Sequence, residues 1–376
     1  MESKDKTLQE WYLIQNIDTV DSPSLIIYEE RVVENIRLLT SMIEDVKRLR
    51  PHVKTHKAKE AALLMMEAGI TKFKCATIAE AEMLALANAH DVLLAYQPVG
   101  PKLHRFITLI GKYPATTFSC LVDNYNAAKT IAETAIENHV EISVYIDLNV
   151  GMNRTGLAPG KDAVGLYKEC LSLRGINPIG LHAYDGHIRT MDFEQRTEEC
   201  NAVFRLVEDT QKELDDSGFA KPVIIAGGSP TFPIHAKRKN IECSPGTFIY
   251  WDAGYQRICP EQPFHPAALV VSRVISLPAK NILCLDLGHK SIAAENELAN
   301  RVRFLNAPDL KFVGQSEEHL VAEAPEGHSY KLGDVFYGLP VHICPTVALY
   351  DRASIVNNHL VKKEWKTIAR DRKITI

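Results

Sequence analysis

Arg50-Pro51-His52-Val53-Lys54-Thr55-His56-Lys57 gathers two imidazoles and two amines into eight residues, just after a segment with helical spacing and inside one that reads as a strand. A lysine leaving a strand end at a barrel mouth can be held partly desolvated beside other cations. That lowers its pKa and frees a neutral, nucleophilic amine near neutral pH, the kind that forms Schiff bases. Read in isolation, the same octapeptide is a solvated basic turn. The chain on either side decides between the two readings.

Upstream, Ser24-Leu25-Ile26-Ile27-Tyr28 reads as a strand, and Val32 to Leu49 carries apolar residues at 3.6 spacing. Downstream, short β-branched runs alternate with helical patterns. Strands are expected over 71–76, 91–95, 118–122, 142–146, 179–183 and 223–226, and helices over 59–68, 78–89, 126–137, 161–173 and 193–217. Buried strands alternating with helices predict parallel βα units, and about eight of them predict a (β/α)8 TIM-type barrel. After residue 260 the texture changes to short strand signals broken by Pro, Gly, Asn and Asp, with little helical periodicity before Val361 to Arg370. The expected organisation is a barrel over 22–258 and a mostly-β domain built from 1–21 and 259–376, with Trp11 and Tyr12 packing on the latter.

Composition narrows the function. With 376 residues, the chain exceeds what one hydrophobic core usually supports. A net charge of -4, without a long basic run interleaved with aromatics, makes nucleic acid an unexpected partner. Its eight cysteines are scattered without CxxC pairs, and Met1 to Lys6 lacks an apolar targeting segment, so a reduced cytoplasmic setting is expected. The sequence also lacks an apolar run of about eighteen residues, the length that predicts a membrane span.

In such a barrel, chemistry collects where strands end. Lys54 ends one candidate strand, and Asn153-Arg154, Tyr184-Asp185-Gly186-His187 and Gly227-Gly228-Ser229 follow three others. Gly228 and Ser229, with Gly246 and Thr247 of the later Ser244-Pro245-Gly246-Thr247 loop, offer small side chains and backbone amides suited to phosphate oxygens. Arg154 could hold a phenolate or a carboxylate, or be an exposed loop arginine. Tyr184 could stack on a flat heterocycle or belong to the core, and His187 could be an acid–base group or a structural histidine. In Leu339-Pro340-Val341-His342-Ile343-Cys344-Pro345-Thr346, His342 and Cys344 stand at i and i+2. If the segment is a strand, both point to one face and can bind one divalent ion, leaving positions open for water or substrate. The bland alternative is a buried cysteine beside a satisfied histidine.

Together these residues resemble the fold-type III pyridoxal-phosphate enzymes, the alanine racemase-like group, and within it the D-serine dehydratase and D-threonine aldolase branch. The likeness rests on Arg50 to Lys57, on Tyr184-Asp185-Gly186-His187 and on His342-x-Cys344-Pro345-Thr346. It implies that Lys54, rather than Lys57, carries pyridoxal 5'-phosphate. It also implies that Arg154 meets the cofactor's phenolic oxygen, that Tyr184 lies against the pyridine ring, and that Gly228, Ser229, Gly246 and Thr247 contact the phosphate. Ser244 falls where alanine racemases place an arginine near the pyridine nitrogen. His342 and Cys344 would hold Zn2+, with Mn2+ or another divalent ion as alternatives, and the chain would be a homodimer.

By the same resemblance, the aldolases carry His-x-Asp at the late pair and the D-serine dehydratases His-x-Cys, so Cys344 favours a dehydratase converting D-serine to pyruvate and ammonia. Retro-aldol cleavage to glycine and an aldehyde is the alternative. A racemase is a third reading, which needs a second base and no metal pair. A non-catalytic cofactor carrier is a fourth, and it would not need residues 260–376.

Overall fold

The computed structural model describes residues 11–376, so the reading of Met1 to Lys6 lies outside the described residues. These residues fold as two compact units. One gathers the residues up to Leu38 with Thr55–Ala61 and Thr247–Arg370; the other holds Leu39–Lys54, Ala62–Gly246 and Asp371–Ile376. Among the described residues, no helix is long and apolar enough to cross a membrane.

Among the described residues a short 3-10 helix, Ile17–Thr19, precedes Ser24–Tyr28 (β1) and the helix Glu29–Ser41. An alternating series follows: Lys72–Cys75 (β2), Asp91–Leu94 (β3), Thr117–Val122 (β4), Ile142–Leu148 (β5), Ile176–Ala183 (β6), Val223–Ala226 (β7) and Ile241–Cys243 (β8). These seven strands pair in sequence order, all parallel. The helices between them begin where short polar side chains satisfy the first free amides. Thr77 accepts from the Glu80 amide, Asn124 from those of Asn126 and Ala127, and Asp192 from that of Gln195.

The segment 49–53 supplies the eighth position between the two sheet edges. Leu49 bridges Cys243 and His52 bridges Lys74, both in parallel. The Arg50 amide donates to Cys243, His52 to Pro245 and Val53 to Lys74, while the Lys74 amide donates to Pro51. Arg50 locks the join. Its guanidinium is 1% exposed, makes two bonds to Asp91 at 2.6 and 2.8 Å, and meets Glu242 at 2.7 Å. The α/β barrel expectation is borne out, and the basic octapeptide is where its edges meet. Leu93, Leu121, Tyr145 and Ile225 fill the interior below.

Ser24–Tyr28 does not join that sheet, contrary to the reading that begins the barrel there. It runs antiparallel to Ala268–Ala279 (β9) and parallel to Arg352–Asn357, within a nine-stranded sheet. The remaining strands of this sheet are Ile282–Leu285 (β10), Val302–Phe304 (β11), Lys311–Gln315 (β12), Leu320–Glu323 (β13), Val335–Pro340 (β14), Arg352–Asn357 (β15) and Leu360–Lys366 (β16). Apolar content alone could not separate a parallel barrel strand from a central strand of a mixed sheet, since both are buried on two faces. Trp11 and Tyr12 pack on this sheet's core, as expected: the Trp11 ring lies 4.9 Å from that of Tyr28 and beneath the Arg31 guanidinium at 3.8 Å.

The helix expected over 361–370 is mostly a strand, Leu360–Lys366, followed by a short 3-10 helix at Ile368–Asp371. Asn358 and His359 both adopt positive φ, the backbone of a tight hairpin turn, and β16 folds back antiparallel on β15 with Trp365 buried.

Candidate active site

Lys54 stands in the turn just past the barrel-closing segment, half-buried, with its amide donating to His52 Nδ1 at 3.2 Å. The Lys54 amine is 5.7 Å from the centre of the Tyr184 ring, which follows β6, and the Arg154 guanidinium is 5.3 Å from the same centre. Together with His52, Thr155 and His182 they line a cavity of about 230 Å³. Lys57 is not among the lining residues; its backbone has positive φ and its carbonyl takes the Ala369 amide. His56 is a core histidine, pushed down to about 3 by burial.

The third cation of the cavity is one that sequence reasoning missed. Lys74, at 3% exposure, puts its amine 5.3 Å from the Tyr184 ring centre and 3.0 Å from His182 Nε2. Burial first, then the neighbouring Lys54 charge, lowers its pKa to about 7. His182 in turn meets Asp147 through Nδ1 at 2.7 Å, and Asp147 is held below the ordinary carboxylate range by that bond, against the opposing effect of burial. The available signal was alternation: in Lys72-Phe73-Lys74-Cys75, an expected buried strand places a lysine among inward-facing residues.

The small-residue loops meet as well. Ser229 Oγ accepts the Gly246 amide at 3.3 Å, and the Gly228 amide donates to Thr231. A Cβ on Gly228 would stand 3.1 Å from Tyr184 Cε2, so only glycine lets this loop approach the ring without displacement. Ser244, just after β8, is 4% exposed, and among the described residues its hydroxyl has no hydrogen-bond partner. Behind the loops, Asp185 accepts from Thr231 and pairs with His235 Nε2 at 2.9 Å, which also meets Cys200 Sγ at 3.4 Å. The Asp185, Cys200 and His235 donors converge as a metal site would. Arg238 donates to His235 Nδ1, and the buried trio is satisfied internally, which makes it a brace for the Tyr184 loop. His187 is exposed beside Gly151, where a Cβ would lie 2.5 Å from the imidazole.

In the other unit, His342 and Cys344 come together, but not on a strand. β14 ends at Pro340, and Ile343–Val347 form a short helix that His342 precedes. Pro345 explains the difference, since it cannot donate to a ladder but fits a first helical turn. The two side chains are hydrogen-bonded to each other, and Cys344 Sγ lies 3.1 Å from Thr55 Oγ1 and 4.0 Å from Thr247 Oγ1. Although burial opposes it, the bonds from Cys344 and Glu295 push His342 up to about 9. Asp252 anchors the turn by accepting the Ile343 amide at 2.9 Å, and burial pushes its carboxyl up to about 6.

Residues 27–253 match the family described as alanine racemase, N-terminal domain, and residues 267–356 match the one described as putative serine dehydratase domain. The chain is 28% identical over 361 residues to a D-threonine aldolase of Arthrobacter sp, covering 93% of each. It is 25% identical over 366 residues to the D-threo-3-hydroxyaspartate dehydratase of Delftia sp. (strain HT23), covering 88% of this chain and 93% of that one. The crystal structure of D-threonine aldolase from Filomicrobium marinum superposes with a TM-score of 0.86 at 25% identity, over 94% of this chain and 96% of that one.

Proposed function

This chain belongs to the alanine racemase N-terminal domain family, and from that premise we propose a pyridoxal-phosphate- and metal-dependent lyase of D-β-hydroxy amino acids that converts D-serine to pyruvate and ammonia. The observation that carries the proposal is the placing of the Lys54 amine and the Arg154 guanidinium around one tyrosine ring in one cavity.

The residues fit the cofactor. Lys54 offers the amine, Arg154 a cation for a phenolic oxygen, and Tyr184 a flat wall. Gly228, Ser229 and Gly246, with Thr247 next in the chain, offer small side chains and backbone amides, and a Cβ on Gly228 would crowd Tyr184. The orphaned Ser244 hydroxyl is a buried polar atom waiting for a partner, which a ring nitrogen would satisfy. When bound, pyridoxal phosphate supplies an electron sink for the pair left behind when the α-proton departs. A divalent ion held by His342 Nε2 and Cys344 Sγ would act as a Lewis acid on the β-hydroxyl.

The chain's own groups do the rest. Lys54 Nζ, once free, takes the α-proton. Lys74 keeps a second amine in the same cavity, its pKa lowered to about 7 first of all by burial. Tyr184 and the Gly228 loop cover the reacting centre and limit water. The paired thiol and imidazole of the dehydratase-type His-x-Cys motif favour loss of the hydroxyl over cleavage of the carbon chain.

Purified protein loaded with pyridoxal phosphate and Zn2+ or Mn2+ should release pyruvate and ammonia in equal amounts from D-serine. Glycine and an aldehyde from D-threonine, with no keto acid from either substrate, would instead establish the aldolase reading, which the 28% identity to the Arthrobacter aldolase favours. We also propose a homodimer, to be checked by sedimentation equilibrium.

A further inference from the structure

His342 and Cys344 supply two protein donors, and the His342 side chain is 43% exposed. A half-exposed imidazole can rotate, and a metal site needs its nitrogen aimed. Glu295 addresses this: its Oε1 lies 2.5 Å from His342 Nδ1.

On an open surface such a pair would contribute little. Here buried hydrogen bonds hold the backbone at His342 and the segment that leads into Glu295. Thr346, fully buried, donates its hydroxyl to the His342 carbonyl at 2.9 Å and accepts the Ala293 amide at 3.1 Å. The Tyr350 hydroxyl donates to the Ser291 carbonyl at 2.7 Å. The segment leading into Glu295 is therefore tied at Ala293 to the turn that carries His342 and Cys344, and at Ser291 to Tyr350 just beyond it. Asp252 holds that turn from its other side through the Ile343 amide.

We propose that Glu295 is the positioning carboxylate of the metal centre, keeping the His342 proton on Nδ1 so that Nε2 faces the ion alongside the Cys344 thiolate. A carboxylate behind a ligating histidine fixes the tautomer and the ring plane and raises the basicity of the donor nitrogen. It also adds a negative charge next to a divalent cation without occupying a coordination position, leaving those positions to substrate and water. The inference rests on the reading of His342 and Cys344 as a metal pair.

The test uses cofactor-loaded protein stripped of metal and titrated with Co2+ against a chromophoric chelator. Glu295→Gln should weaken Co2+ binding about 10- to 100-fold, while the thiolate-to-cobalt absorption and the coordination number stay as in the wild type; Glu295→Asp should recover part of the loss. Unchanged affinity in Glu295→Gln would overturn the proposal. So would a changed coordination number, which would make Glu295 a direct ligand. Failure of the underlying metal reading looks different: the wild type itself would take up no Co2+, or His342→Ala would bind it equally well.

Discussion

Lys74 Nζ sits 3.0 Å from His182 Nε2, completing a buried row of amine, imidazole and the Asp147 carboxylate beneath the candidate active site. The row keeps an ionisable amine where burial and Lys54 disfavour its charge. Between pH 7 and about 10.5 the unfolded chain binds a proton at Lys74 that the folded chain does not, so this residue's cost to stability is full below pH 7 and fades as pH rises. Lys74→Met in cofactor-free protein should therefore be stabilising, with a gain about 2–3 kcal/mol larger at pH 6 than at pH 9. Urea unfolding at the two pH values measures this; an equal gain at both would show that Lys74 is not held near neutrality.

Arg50 joins the two edges of the barrel through Asp91 and Glu242. Arg50→Ala leaves Glu242 buried with less compensation and should lower unfolding free energy by about 3–5 kcal/mol. Denaturant titration followed by far-UV circular dichroism would detect it, and a loss below about 1 kcal/mol would remove Arg50 from its closing role.

Gly228→Ala places a methyl group 3.1 Å from Tyr184 Cε2. Overpacking of this kind costs about 1–3 kcal/mol. Because Tyr184 and Gly228 are the proposed ring wall and phosphate loop, the displacement should appear in cofactor affinity, raising the dissociation constant for pyridoxal phosphate about tenfold or more. Equilibrium dialysis reads that constant, and retention equal to the wild type would separate the loop from the cofactor.

Metal removal should divide the two chemistries. Chelation, or Cys344→Ala, should leave the visible absorption of the cofactor-loaded protein intact while lowering D-serine turnover about 100-fold or more, the scale of a Lewis-acid contribution of several kcal/mol. Full turnover in metal-free protein would make His342 and Cys344 structural.

The barrel was legible because its strands are short buried runs separated by well-capped helices, and the octapeptide was legible because so many ionisable groups in a strand setting need a use. Lys54, Arg154 and Tyr184 stand out by their positions after strands, and the structure lines one cavity with them. β1 was misplaced because hydrophobic content does not encode which sheet a strand enters. β16 was misread because Val361 and Trp365 satisfy helical spacing as well as alternation. Lys74 was passed over because its interest lies in His182, Asp147 and Lys54, which are distant in sequence. Glu295 was invisible for the same reason: 47 residues separate it from His342.

The account turns on which amine holds the cofactor, and borohydride reduction of the loaded protein followed by peptide mass mapping answers that directly. The pyridoxyl group should be found on Lys54, with none on Lys54→Ala protein and no D-serine turnover by that variant. Label on Lys74 or Lys57 in the wild type, or full turnover by Lys54→Ala, would contradict the assignment on which the proposed chemistry depends.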